Sequence, residues 1–103
     1  MLTRIVKLHF QAEHIDDFLA HFETIKWKVA QFPGCQGMKL LRGKNDPFLV
    51  FTYSQWENEE ALESYRTSEL FQTLWPKIKP WFDQKPEAWS VETYFDGFGK
   101  SLK

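Results

Sequence analysis

The chain has 103 residues, 43% of them hydrophobic and 26% charged, with a formal net charge of −1. That length bounds a single domain with one modest core, and that balance excludes a disordered chain. Lysine and arginine are scattered, without the basic stripe that would neutralise phosphates, so no nucleic acid is expected as a partner.

Cys35 is the only cysteine. It permits no intramolecular disulfide, which suits a reducing compartment. The N-terminus lacks the apolar run of a signal peptide, and no run reaches the length of a membrane helix. A cytoplasmic protein without membrane contact is the expectation. The aromatic share of 17%, with 10 Phe and 5 Trp, is large for so small an interior. It points to a ring-lined cavity, a buried subunit interface or a Phe-rich core.

In chain order, Leu2 to Phe10 alternates as a strand, with Arg4, Val6, Leu8 and Phe10 on one side and Ile5, Lys7 and His9 on the other. A helix follows over about Glu13 to Gln31, because Ile15, Phe18, Leu19, Phe22, Ile25 and Val29 recur at three- and four-residue spacing. Phe32-Pro33-Gly34 ends it. Gln36 to Arg42 reads as a second strand, Gly43 to Pro47 as a turn, and Phe48 to Gln55 as a third strand dense in Phe, Val, Thr and Tyr. Asn58 is placed to cap a short helix with Ala61, Leu62 and Tyr65 inside. A further helical piece runs from about Ser68 to Phe82, where Pro76 and Pro80 should kink or divide it. Pro86 to Phe95 reads as a last strand. The domain is expected to span 1–96 and a loose tail 97–103.

Strand, helix, strand, strand, helix, strand gives an α+β, ferredoxin-like fold: a four-stranded antiparallel sheet with the helices on one face. The strands are apolar on both sides, as in Leu49, Phe51 and Tyr53 against Val50 and Thr52. A lone subunit would expose one of those faces, so a homodimer through the sheet face is expected. At about 25 cal/mol per Å², roughly 800 Å² of buried apolar area per subunit would outweigh typical association costs.

The segment Phe51-Thr52-Tyr53-Ser54-Gln55-Trp56-Glu57-Asn58-Glu59-Glu60-Ala61 resembles the signature region of the antibiotic biosynthesis monooxygenase family, where a strand ends in Trp before an acidic helix start. The turn Phe32 to Gly37 and the stretch Thr67 to Phe71 are similar to the family as well. The resemblance implies a dimeric α+β barrel. Its haem-degrading members use a helical His, a helical Trp and a first-strand Asn. Here the His position falls on Trp75, the Trp position on Tyr65, and no Asn precedes Asn45. Indole does not ligate iron as imidazole does, so haem is not expected. Members that oxidise anthrones or quinols with dioxygen and no cofactor carry an Asn four residues before the strand-end Trp and a Tyr six after it. This chain keeps Trp56 but has Thr52 and Leu62 at those places.

With Val6, Leu8, Val50 and Thr52 on the helix side of the sheet, Phe22, Phe71 and Trp75 can close over them to form a slot for a small flat aromatic ligand. The same side chains could equally fill the core. In the resemblance's terms Trp56 and Thr52 frame the site; His21, beside the apolar stripe of its helix, or Tyr65 is expected to assist deprotonation. The expected function is a cofactor-independent monooxygenase acting on a phenolic or quinol substrate, with a non-catalytic binding or sensing module as the alternative. No metal is expected, since His14 and His21 lie two turns apart, roughly 10 Å along the helix, too far for one ion.

Overall fold

The computed structural model describes residues 1–98, so all but the first two residues of the expected tail lie outside the described residues. Strand β1 spans Leu2–His9, and a 3₁₀ turn at Ala12–His14 leads into helix α1, Ile15–Ala30. Strands β2, Cys35–Arg42, and β3, Leu49–Trp56, follow. Helices α2, Glu59–Arg66, and α3, Glu69–Ile78, precede a 3₁₀ turn at Lys79–Trp81 and strand β4, Glu87–Glu92. The four strands form one sheet in the order β2-β3-β1-β4, and every pairing is antiparallel. This is the ferredoxin-like arrangement that the order of elements predicts.

Local chemistry sets the boundaries. The Asn58 side chain accepts the Ala61 amide at 2.8 Å, and the Ser68 hydroxyl accepts the Phe71 amide at 3.2 Å, so each short helix begins on a capped turn. Gly34 turns α1 into β2 at φ +89°, and a β-carbon there would stand 2.5 Å from that of Ala61. Only glycine meets both demands. A bulge between Cys35 and Gly37 then lets both Cys35 and Met38 lie on the helix side of the sheet.

Two expectations need correction. Pro76 does not divide the helical piece, whose division comes after Ile78, next to Pro80; Pro76 sits inside α3 two residues from its end. There the lost donor costs one bond in a turn that frays anyway, and Pro80 falls in the 3₁₀ turn beyond. The last strand stops at Glu92 rather than Phe95 because its partner runs out: Glu92 pairs with Leu2, where β1 begins.

All three helices cover one face. Leu8, Phe10 and Val50 from the strands pack with Ile15 and Phe18 of α1 and Ile78 of α3. A second cluster joins Leu2 and Trp56 to Leu62 of α2. The opposite face carries Ile5, Phe51, Tyr53, Leu41, Trp89 and Val91, the last three between 40% and 46% exposed. At its edge, His9 is clamped between two carboxylates, Nδ1 at 2.7 Å from Asp83 and Nε2 at 2.8 Å from Asp46. The clamp ties the end of β1 to the β2–β3 turn and to the segment before β4.

Candidate active site

Alternation along the strands builds a floor. Pairing sets Met38, Ser54, Arg4 and Ser90 side by side across the sheet, and next to them Leu40, Thr52, Val6 and Ala88. The amphipathic stripe of α1 supplies Phe22, Ile25 and Val29 above that floor. Helix α2 adds Leu62, Tyr65 and Arg66, and α3 adds Phe71, Leu74 and Trp75. Between these layers lies a cavity of about 370 Å³. Small-molecule sites run from roughly 300 to 1,000 Å³, so the space suits a compact ligand.

Its walls belong to a continuous chain of rings. Trp56 is 1% exposed, stacks on Tyr65 at 5.1 Å between centroids, and donates its indole N–H to the Ser54 hydroxyl at 2.9 Å. Tyr65 meets Phe71 edge-on at 5.2 Å, and Phe71 stacks on Trp75 at 5.6 Å. From Trp75 the contacts continue through Phe82 and Phe10 to Phe18. The abundant aromatics thus do two jobs at once: Phe10 and Phe82 fill the core, while Phe22, Tyr65, Phe71 and Trp75 line the cavity.

Polar groups are few. Among the described residues the Thr52 hydroxyl makes no hydrogen bond within the protein and is free to meet a ligand. Burial, with a smaller contribution from Cys35, pushes the Tyr65 phenol well above its ordinary pKa. It therefore stays neutral at physiological pH, with a hydroxyl able to donate or accept a hydrogen bond. Arg4 is half-buried and donates to the Ser90 hydroxyl at 3.0 Å. Burial, and then the like charge of Arg66, lowers its pKa.

Of the residues singled out from sequence, Val6, Leu8, Phe22, Thr52, Trp56, Tyr65, Phe71 and Trp75 all line this one cavity. Val50 and His21 do not. Val50 is fully buried beneath α1, its face of the strand filled by Phe10, Phe18 and Ile78. His21 lies on the flank of α1, edge-on to Trp81 at 6.4 Å, with its Nε2 buried and unpartnered among the described residues. Burial first and Lys77 second depress its pKa, so it is neutral but out of reach of the cavity. His14 pairs with Asp17 at 2.9 Å, and among the described residues no group of three or more His, Cys, Asp or Glu converges on a point.

Arg4, Ser54, Met38 and Arg66 line the cavity without having been singled out from sequence. Arg4 shares the parity of Val6 and Leu8, which was the available signal for it. Arg66 follows Tyr65 directly and reads as an ordinary solvent-facing helix residue.

The sequence profile described as Antibiotic biosynthesis monooxygenase matches residues 1–75. That stretch holds β1 to α3 as far as Trp75, and with it almost the whole cavity. Among curated proteins no relative matches the chain. Among solved structures it is similar to an antibiotic biosynthesis monooxygenase with 25% identity and a TM-score of 0.85, over 90% of this chain and 98% of that one. It is also similar to Rv0793 from Mycobacterium tuberculosis, with 9% identity and a TM-score of 0.84 over 93% and 97% of the two chains. PA3566 from Pseudomonas aeruginosa follows with 18% identity and a TM-score of 0.79 over 89% and 92%. At such identities the last two speak for the fold alone. With the profile covering most of the chain, and the cavity built from the matched elements, the chain belongs to the antibiotic biosynthesis monooxygenase family.

Proposed function

We propose that this chain is a monooxygenase that oxidises a small phenolic or quinol-like aromatic with dioxygen, without a bound cofactor, in the cavity between the helices and the sheet. The observation that carries the reading is the cavity's lining: mostly rings and aliphatic side chains, with Thr52, Ser54 and Tyr65 as its neutral polar side chains. Such a lining holds a flat ring by stacking and keeps water from a reactive intermediate.

In this chemistry the substrate anion supplies the first electron to dioxygen, the two radicals join as a peroxide, and the O–O bond then breaks. For an anthrone-like methylene, one oxygen becomes the carbonyl and the other leaves as water with the two hydrogens of the carbon. The protein's part is to orient and to stabilise charge. Thr52 donates to the substrate oxygen, and neutral Tyr65 offers a second hydrogen bond from α2. His21, out of contact with the cavity, has no role in it. The working form is a homodimer with the exposed sheet faces of two copies in contact, supported by the apolar rings left on that face.

A second reading has its own support. Thr52 and Leu62 stand where the cofactor-independent enzymes carry Asn and Tyr, and no imidazole lines the cavity among the described residues. The chain would then be a dimeric binding or sensing module that uses the same slot. Oxygen uptake with a panel of anthrones and quinols, in the absence of flavin, haem and metal, separates the two. Consumption that falls in Thr52→Ala supports the monooxygenase. Tight binding of flat aromatics with no consumption leaves the binding module.

A further inference from the structure

Two cations from separate elements line the same apolar cavity: Arg4 of β1 and Arg66 of α2. Neither is neutralised within it. Among the described residues Arg4 has no carboxylate within 4.0 Å, and its one side-chain hydrogen bond goes to the neutral Ser90 hydroxyl at 3.0 Å. Arg66 pairs only with Glu63 at 3.0 Å, an exposed contact along its own helix that leaves most of its five donors unused. Among the described residues the one acid that borders the cavity is Glu87, and its carboxylate lies 3.7 Å from Lys7, whose side chain belongs to the opposite face of the sheet.

Arg4 is half-buried and Arg66 lines the same cavity from an exposed position on α2, so an anion between them would offset the repulsion of the two like charges. Burial first, and the like charge of Arg66 second, lower the Arg4 pKa. The same row of the floor offers neutral donors beside Arg4. Ser54 already accepts the Trp56 indole N–H at 2.9 Å and keeps its own hydrogen to give.

We infer that Arg4 and Arg66 form an anion-holding subsite of this cavity, and that its ligand is a flat aromatic acid whose ring lies among Phe22, Tyr65 and Trp75 and whose carboxylate meets the two guanidinium groups. The inference rests on the cavity being the ligand site. A planar guanidinium grips a carboxylate through two parallel hydrogen bonds, and charge-assisted bonds of this kind are about twice as strong as neutral ones. Ring stacking supplies affinity, and the arginines select for charge.

Quenching of the fluorescence of Trp56 and Trp75 tests this directly, with 2-naphthoate and its neutral isostere 2-naphthamide as probes. The carboxylate should bind about tenfold more tightly than the amide, the scale set by one or two charge-assisted hydrogen bonds. Arg4→Gln and Arg66→Gln should each remove most of that preference, weakening 2-naphthoate far more than 2-naphthamide. Arg66 is exposed on α2, so its variant folds even where Arg4→Gln does not. Equal affinities of the two probes for the unaltered protein would overturn the subsite while the cavity still bound ligand. Binding of neither probe would instead remove the cavity as a ligand site, and the subsite with it.

Discussion

The two faces of the sheet are made of similar residues and meet different fates. The helix-side face has Leu2, Val6, Leu8 and Val50; the other has Ile5, Phe51, Tyr53, Trp89 and Val91. On the first, the chain's own helices bury the strands completely at one end, around Val50 and Phe10, and incompletely at the centre, where the cavity remains. On the second, no element of the described chain covers the rings, and Trp89 stays 44% exposed. The difference teaches that apolar strand residues alone do not mark a ligand site. What marks it is incomplete closure by rigid elements, with a few polar groups left unpaired inside.

Substitutions on each face sharpen this contrast. The largest effect is expected at Trp56, which anchors one end of the cavity while fully buried and stacked on Tyr65. Trp56→Ala should cost about 3–5 kcal/mol in chemical denaturation, as large-to-small changes in a core do. On the outer face, Trp89→Glu should leave the monomer's stability within about 0.5 kcal/mol. It should weaken self-association by about thirtyfold, the loss of an aromatic that anchors the interface, in sedimentation equilibrium. If Trp89→Glu instead unfolds the monomer, the two faces are not as different as described.

The clamp at His9 belongs to neither face's function and tests the frame. Hydrogen bonds that His9 donates to Asp83 and then to Asp46 raise its pKa above its ordinary 6.5. A raised folded value means that the charged clamp stabilises fully below pH 6.5 and is lost as pH climbs through the folded pKa. His9→Gln should therefore lower stability by about 1–2 kcal/mol in mildly acidic solution, with the deficit shrinking toward alkaline pH in melts across a pH series. Asp46 has the opposite sign: the hydrogen bond from His9 lowers its pKa, so its share disappears as pH falls through that depressed value. Thr52→Ala should be the mildest change, leaving stability near that of the unaltered protein. The lost hydrogen bond should weaken ligand binding or turnover about threefold to tenfold.

How much of this was legible in the sequence depends on what each residue's neighbours determine. Elements with an unbroken period announced themselves: the α1 stripe from Ile15 to Val29, the alternation of β1, and the helix cap at Asn58. Where a tertiary partner decides, the sequence was silent. Nothing in Val91 to Phe95 says that pairing ends at Glu92; the start of β1 does. Val6, Leu8 and Thr52 face the cavity because strand parity is rigid, whereas His21 depended on how α1 is rotated toward the 3₁₀ turn at Lys79–Trp81. Val50 shows the same dependence, since only the packing of Phe10, Phe18 and Ile78 decides that its end of the floor is filled. Arg4 and Arg66 were overlooked because charge at a strand start and on a helix reads as solvent-facing until the elements are brought together.

The most direct test of the account is the molar mass of the purified protein by light scattering after size exclusion at low micromolar concentration. The exposed rings of the outer face predict the mass of two chains, falling to that of one in Trp89→Glu. A folded species with the mass of a single chain would contradict it, because those rings would then rest stably in water with no second copy to cover them.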